Sequence, residues 1–98
     1  MQYLFIQRSG DSEKIMKLLG NFKKNSKQEL VSQYNSSVTT GIVGVHAQAQ
    51  MLVALNKAFE ATFEKSPIKI VENSIISLTG KIELISEEWQ YITNPKTE

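Results

Sequence analysis

Apolar residues recur at steps of three and four between residues 40 and 66, and this stretch dominates the hydrophobic pattern of the chain. Its main row consists of Val45, Ala49, Leu52, Leu55, Phe59 and Phe63. Such spacing places side chains on one face of an α-helix. The hydroxyl of Thr39 or Thr40 can cap the start of the helix. Glycine is unfavourable inside a helix, so if Gly41 lies in a loop, the helix starts nearer Val43. Ser66-Pro67 ends the helix, because proline lacks a backbone N–H. We therefore predict one long central helix.

A second row of mostly small side chains runs beside the first on the same helix. No formal charge occurs between Ile42 and Leu55, and a helix that is apolar nearly all round is covered on most sides. Two explanations of the second row stay open: close packing of the helix on a sheet, or a seam between two copies of the chain. The interface residues predicted from this row are Ala47, Met51, Ala54 and Ala58.

The first forty residues predict one strand and two shorter helices. Residues 3–6 form a short run of aromatic and branched side chains, which is typical of a buried strand. The first helix has an apolar stripe at Ile15, Leu18, Leu19 and Phe22. The second is expected from about Lys27 to Ser36. The candidate capping residues are Asp11 or Ser12 for the first helix, and Ser26 with Glu29 for the second.

Toward the C-terminus the pattern changes to one typical of strands. Branched and apolar residues fill the runs from Ile68 to Leu78 and from Ile82 to Ile85, on either side of Thr79-Gly80. We predict a β-hairpin with its turn at that pair. Glu72-Asn73 splits the first run by a bulge or a turn. A further strand or sheet edge is predicted from Trp89, Tyr91 and Ile92.

Helices followed by strands predict an α+β fold. We expect a small, mainly antiparallel sheet, built from the N-terminal strand and the C-terminal hairpin, packed against three helices of which the third is long and central. The length of 98 residues is typical of a single domain. We place that domain at residues 1–93 and a disordered tail at residues 94–98. Both faces of residues 68–78 carry apolar side chains, and an oligomer would bury the outer face.

Composition and charge argue against several classes of function. A net charge of +1 gives no field that favours nucleic acid or an anionic membrane. The chain has no cysteine, which excludes disulfides and thiolate metal sites. No signal-peptide pattern is visible, and the most apolar segment is too short and too polar to span a bilayer. We therefore expect a cytoplasmic protein without cofactor or metal, and without nucleic-acid or membrane partners.

His46 is the only histidine of the chain, and Gln50 lies one helical turn beyond it. Polar groups on an otherwise apolar helix need partners, and the candidates in the preceding segment are Tyr34, Asn35, Thr39 and Thr40. Three explanations stay open: a polar network that fixes helix docking, a small-ligand pocket, and general acid–base catalysis. Catalysis has the least support, because no nucleophile or orienting group has a recognisable spacing. The predicted ligand-binding residues are His46, Gln50, Tyr34, Asn35 and Thr40.

No motif in the sequence fixes a chemistry. We predict a small, non-enzymatic domain that acts by protein–protein interaction or by forming a homo-oligomer. Trp89 and Tyr91 are included in the predicted interface, because aromatic residues are enriched at interface hot spots. Core packing is their other explanation. The alternative function is the binding or sequestering of a small molecule in a polar pocket around His46 and Gln50.

Overall fold

The computed structural model describes residues 2–42, 45–71 and 74–92. The elements in chain order are β1 (Gln2–Leu4), α1 (Asp11–Phe22), α2 (Lys27–Thr40), α3 (His46–Phe63), β2 (Lys69–Val71), β3 (Ile75–Ser77), β4 (Ile82–Ile85) and β5 (Glu88–Tyr91). The predicted α+β class is confirmed, and α3 is the longest helix. The predicted tail at residues 94–98 and the Glu72-Asn73 split lie outside the described residues, as does Val43, near which the central helix is predicted to begin.

The strands form two antiparallel sheets rather than one. β1 and β2 both pair with β3, and β4 pairs with β5. The predicted hairpin turn at Thr79-Gly80 is therefore wrong, because this pair connects the two sheets. The turn between β4 and β5 lies at Ser86 and Glu87, whose φ angles are 52° and 71°. Two-residue turns of this kind favour Asn-Gly or Asp-Gly, so a Ser-Glu turn gives no signal in the sequence.

The segment between α2 and α3 differs from the prediction. α2 continues to Thr40, so Thr39 and Thr40 are its last residues and do not cap α3. Gly41 follows with a φ angle of 81°, a backbone conformation that glycine adopts without strain. α3 begins at His46, and its N-cap residue Val45 provides no side-chain hydrogen bond.

The other helix ends are set by local chemistry. The predicted capping box is present: Ser26 Oγ accepts from the Glu29 N–H at 3.2 Å, and Glu29 Oε1 accepts from the Ser26 N–H at 2.7 Å. α1 begins at Asp11 after Gly10, which has a φ angle of 88°. α3 ends at Phe63, before Ser66-Pro67, because Glu64 already adopts the left-handed conformation at φ 66°.

One hydrophobic core joins the helices to both sheets. Except for the exposed Val45, the main row of α3 faces this core as predicted. Phe59 is fully buried and makes edge-on contacts with Tyr34 and Trp89, at ring-centroid distances of 6.2 and 6.5 Å. Burial of such a side chain contributes about 1.5–3 kcal/mol. Within the described part of the chain, none of the helices combines the length and hydropathy needed for a membrane span.

The three-stranded sheet has one buried and one exposed face. The cross-strand row of Tyr3, Ile76 and Ile70 faces the core. Successive side chains of a strand alternate between faces, so the neighbouring row of Leu4, Ile75 and Val71 lies on the outside. The alternation continues through the buried Phe5 to the exposed Ile6. We call the set Leu4, Ile6, Val71 and Ile75 the outer apolar surface.

Candidate functional site

Asp11 is the polar partner of His46 and Gln50, a role that its position in the sequence did not indicate. The residue is only 2% exposed, although it is the first residue of α1. His46 Nε2 lies 2.9 and 3.0 Å from its two carboxylate oxygens, and Gln50 Nε2 donates to Oδ1 at 2.6 Å. A carboxylate only accepts, so His46 Nε2 carries the hydrogen. We call Asp11, His46 and Gln50 the carboxylate cluster; it connects the start of α1 to the first turns of α3.

The environment of Asp11 keeps the carboxyl group ionised at neutral pH. Burial raises the pKa of Asp11, but hydrogen bonds from the Arg8 N–H, His46 and Gln50, together with the charge of His46, outweigh it. The pKa is therefore held below its ordinary value of 3.8. The Phe5 ring stacks on the His46 ring with a centroid distance of 5.0 Å. His46 thus contacts both Asp11 and Phe5.

The carboxylate cluster has the orienting half of a catalytic arrangement. In enzymes that use a histidine as general base, a carboxylate hydrogen-bonded to the imidazole holds the ring in position. Within the described residues, however, no hydroxyl or amine side chain is hydrogen-bonded to His46. In the same part of the chain, every buried side-chain nitrogen or oxygen has a hydrogen-bond partner. The geometry therefore fits the first of the three explanations, a network that fixes how two helices dock.

Tyr34 and Asn35 form a separate polar contact with the segment that joins the two sheets and with the first residue of β4. Tyr34 Oη donates to the Gly80 carbonyl at 2.9 Å and accepts from the Thr79 N–H at 3.3 Å. Asn35 Nδ2 donates to the Ile82 carbonyl, and Asn35 Oδ1 accepts from the Ile82 N–H, both at 2.8 Å. Burial raises the pKa of Tyr34 to about 12. We call this arrangement the Tyr34–Asn35 contact.

The structure therefore divides the predicted ligand-binding residues. It brings His46 and Gln50 together, but it places Tyr34 and Asn35 against residues 79–82. The expectation that Tyr34 and Asn35 pair with His46 and Gln50 is wrong, because α2 presents both side chains to the linker between the sheets. Thr40 is exposed at the end of α2.

The predicted interface residues of α3 are divided between core and surface. Ala54 and Ala58 are fully buried within the chain, so a second copy cannot contact them while the fold is intact. Ala47 is exposed and Met51 is half-buried. The core explanation therefore accounts for part of the small-residue row.

The two C-terminal aromatic residues of the predicted interface bond within the chain. Trp89 is buried, and its Nε1 donates to the Lys65 carbonyl at 3.0 Å. Tyr91 Oη donates to the Pro67 carbonyl at 3.1 Å. The Lys65 ammonium group also lies over the Trp89 ring, 4.6 Å from its centroid. Both aromatic side chains thus hold the second sheet against the segment that follows α3.

A cavity of about 590 Å³ opens between α1, α3 and β2. Its apolar lining residues are Phe5, Ile15, Met16, Val53 and Ile70. The polar and charged lining residues are Gln7 and Ser12, around the start of α1, and Asn56, Lys57 and Glu60 on α3. Of the described residues that line it, none belongs to the predicted ligand-binding set. Phe5 is the link between the two features, since one face of its ring stacks on His46.

Within the described residues, no group of three or more His, Asp or Glu side chains is placed to hold a metal ion. Compared with known proteins, the chain matches no family model, no curated protein and no solved structure.

Proposed function

We propose that the protein acts by associating with a second copy of itself through the outer apolar surface. One observation carries this proposal: Leu4 and Val71 are 58% and 52% exposed on one face of a sheet, and Ile6, two residues beyond the end of β1, is 67% exposed. Ile75 lies between Leu4 and Val71 in the cross-strand register. A single exposed aliphatic side chain is ordinary, but a continuous group of them on adjacent strands is typical of an interaction site.

A second copy suits this surface better than a charged partner does. Aliphatic side chains need neither an opposite charge nor a hydrogen-bond partner, so the surface is complementary to itself, as a two-fold interface requires. Two sheets can pack face to face about 10 Å apart. The exposed Lys69 lies on the same face, at the other end of β2. Repulsion between the two lysines favours an arrangement that places them at opposite ends of the interface.

The size of the surface predicts weak association. Strands lie about 4.8 Å apart, and only a few outer residues on each strand are available. The area buried on each copy is then below the roughly 800 Å² of a standard interface. We therefore expect a reversible dimer with a dissociation constant in the micromolar to millimolar range. The compartment we propose is the cytoplasm, because the cysteine-free sequence makes no use of an oxidising environment.

The alternative, a small-ligand pocket around His46 and Gln50, has less support. Both side chains already bond to Asp11. Tyr34 and Asn35, the other half of that pocket, bond to the backbone of residues 79–82. A ligand at this position would have to displace hydrogen bonds in a nearly buried site, which is costly.

Sedimentation equilibrium tests the proposal. We expect the apparent mass of the wild type to rise from 11.1 kDa toward twice that value as the protein concentration increases. Val71→Lys should shift the dissociation constant at least tenfold toward monomer, since a buried, unpaired ammonium group opposes association. Ile85→Lys is the matched control, because Ile85 is 47% exposed on the other sheet.

Circular dichroism spectra and melting curves establish that each variant is folded. A wild type that stays monomeric up to about 1 mM would overturn the proposal. So would equal weakening of the dimer by both lysine variants, because the association would then not depend on the outer apolar surface.

A further inference from the structure

The cavity between α1, α3 and β2 is separate from the outer apolar surface. Phe5 and Ile70 contribute to it from the inner side of the first sheet, and Ile15 and Val53 contribute from the two helices. Its volume of about 590 Å³ lies within the range of small-molecule sites, roughly 300–1,000 Å³. Apolar and polar side chains contribute equally in number to its lining, so a ligand must offer apolar as well as polar or charged groups.

Part of the polar lining of the cavity lies on one face of α3. Val53, Asn56, Lys57 and Glu60 are three or four residues apart, so they project to the same side. Lys57 and Glu60 form none of the ion pairs found among the described residues. The half-buried amide of Asn56 likewise makes none of the side-chain hydrogen bonds found there. One cation, one anion and one amide are thus available to a ligand.

We propose that this cavity binds a small zwitterion with apolar side chains, the chemistry of a short apolar peptide with free ends. The apolar side chains would contact Phe5, Ile15 and Val53. The ligand carboxylate would pair with Lys57, and the ligand ammonium group would pair with Glu60. Asn56 would bond to the peptide group between them.

The spacing of the two charges favours a dipeptide over a single amino acid. Residues three apart on a helix have Cβ atoms about 5–6 Å apart. Two residues of extended chain span about 7 Å. The terminal charges of a dipeptide can therefore reach both Lys57 and Glu60, while its side chains enter the apolar part of the cavity. The carboxylate cluster supports the site indirectly, because the Phe5 ring stacks on His46.

The probe we would use is leucyl-phenylalanine, titrated into ¹⁵N-labelled protein. We expect saturable shifts in the backbone amide signals of Ile15, Val53 and Ile70, and no comparable shifts at Ile85 or Glu88 of the second sheet. Two modified probes isolate the charges: the N-acetylated dipeptide has no ammonium group, and the C-terminal amide has no carboxylate. Each should bind about threefold to fivefold more weakly, as expected for exposed ion pairs.

Substitutions on the protein should match these losses one by one. Lys57→Gln should weaken binding of the free dipeptide about threefold to fivefold and leave binding of its C-terminal amide unchanged. Glu60→Gln should behave in the same way toward the N-acetylated form. The matched controls are Lys81→Gln and Glu83→Gln, which alter exposed charges outside the cavity.

Three results would overturn the proposal. The first is the absence of shifts at about 5 mM dipeptide, a concentration that detects even millimolar affinity. The second is saturable shifts at residues away from the cavity. The third is binding that is indifferent to both charges, which would assign the cavity to neutral apolar molecules. None of these results depends on whether the protein dimerises, because the outer apolar surface is on the other side of the sheet.

Discussion

The carboxylate cluster and the Tyr34–Asn35 contact both attach a helix to the rest of the fold, but they use different chemistry. In the cluster, a buried charge accepts hydrogen bonds from its surroundings. In the contact, neutral side chains of α2 bond to the backbone of the segment between the sheets. Bonds to a charge are stronger than neutral ones, but they depend on pH. Neutral pairing is insensitive to acid.

The largest expected effect on the free energy of unfolding comes from a change in the hydrophobic core, which both regions share. Leu52 on α3 is fully buried. Leu52→Ala should lower the free energy of unfolding by about 2–5 kcal/mol, through lost burial and a residual cavity. Urea denaturation followed by circular dichroism measures this loss, with Ile85→Ala as an exposed control that should stay within about 0.5 kcal/mol of wild type. Similar losses in the two variants would contradict the assignment of α3 to the core.

A smaller effect is expected from breaking the neutral contact. Asn35→Ala leaves the N–H and the carbonyl of Ile82 without their side-chain partner. The expected loss is about 1–3 kcal/mol, the usual cost of unsatisfied, partly buried polar groups. Hydrogen exchange at the Ile82 amide should accelerate, and the loss should be the same at pH 5 and pH 7. Ser36→Ala, at an exposed neighbouring position of α2, serves as the control. Unchanged exchange at Ile82 would rule out the bond.

The smallest expected effect distinguishes the two regions directly. It is a change in how the free energy of unfolding depends on pH. The pKa of Asp11 is below 3.8 in the folded protein and has its ordinary value in the unfolded chain. The carboxylate therefore contributes stability above that ordinary value and loses it as pH falls through the folded pKa. Asp11→Asn lacks this contribution, so the difference in stability from wild type should be full at pH 7 and shrink in acid.

Urea denaturation at a series of pH values measures this difference. Glu13→Gln provides the control, because Glu13 is an exposed acidic residue of the same helical turn. The expectation fails if the free energies of unfolding of wild type and Asp11→Asn differ by a constant amount down to the lowest pH at which both fold. The neighbours of Asp11 would then not favour its ionised form.

Periodicity predicted the helices well, because burial of one face imposes a spacing on the sequence. The row from Ala49 to Phe63 illustrates this relation. The arrangement of the strands was not predictable in the same way. A run of branched residues indicates an extended segment, but it does not specify which strand it pairs with. The separation into two sheets depends on a turn at Ser86 and Glu87 that lacks the usual turn residues.

Only the residues that α3 contributes to the candidate site were predictable from the sequence. His46 and Gln50 stood out because they are polar residues on an apolar helix, and such residues need partners. Asp11 was predicted as a helix cap, which is the common role of aspartate at that position. Only the packing of α1 against α3 shows that its side chain points inward. No pattern in the sequence indicated the cavity, because its lining residues come from four separate parts of the chain.

The register of the first sheet has a consequence for synthesis of the chain. Gln2 is opposite Ser77, and Leu4 is opposite Ile75. β1 is made first, but β3 follows only after all three helices. At about 5–20 residues per second, β1 remains without its partner for on the order of 4–15 s. The helices have time to form and pack in that interval, so closure of the sheet is expected to be a late, long-range step that completes the fold.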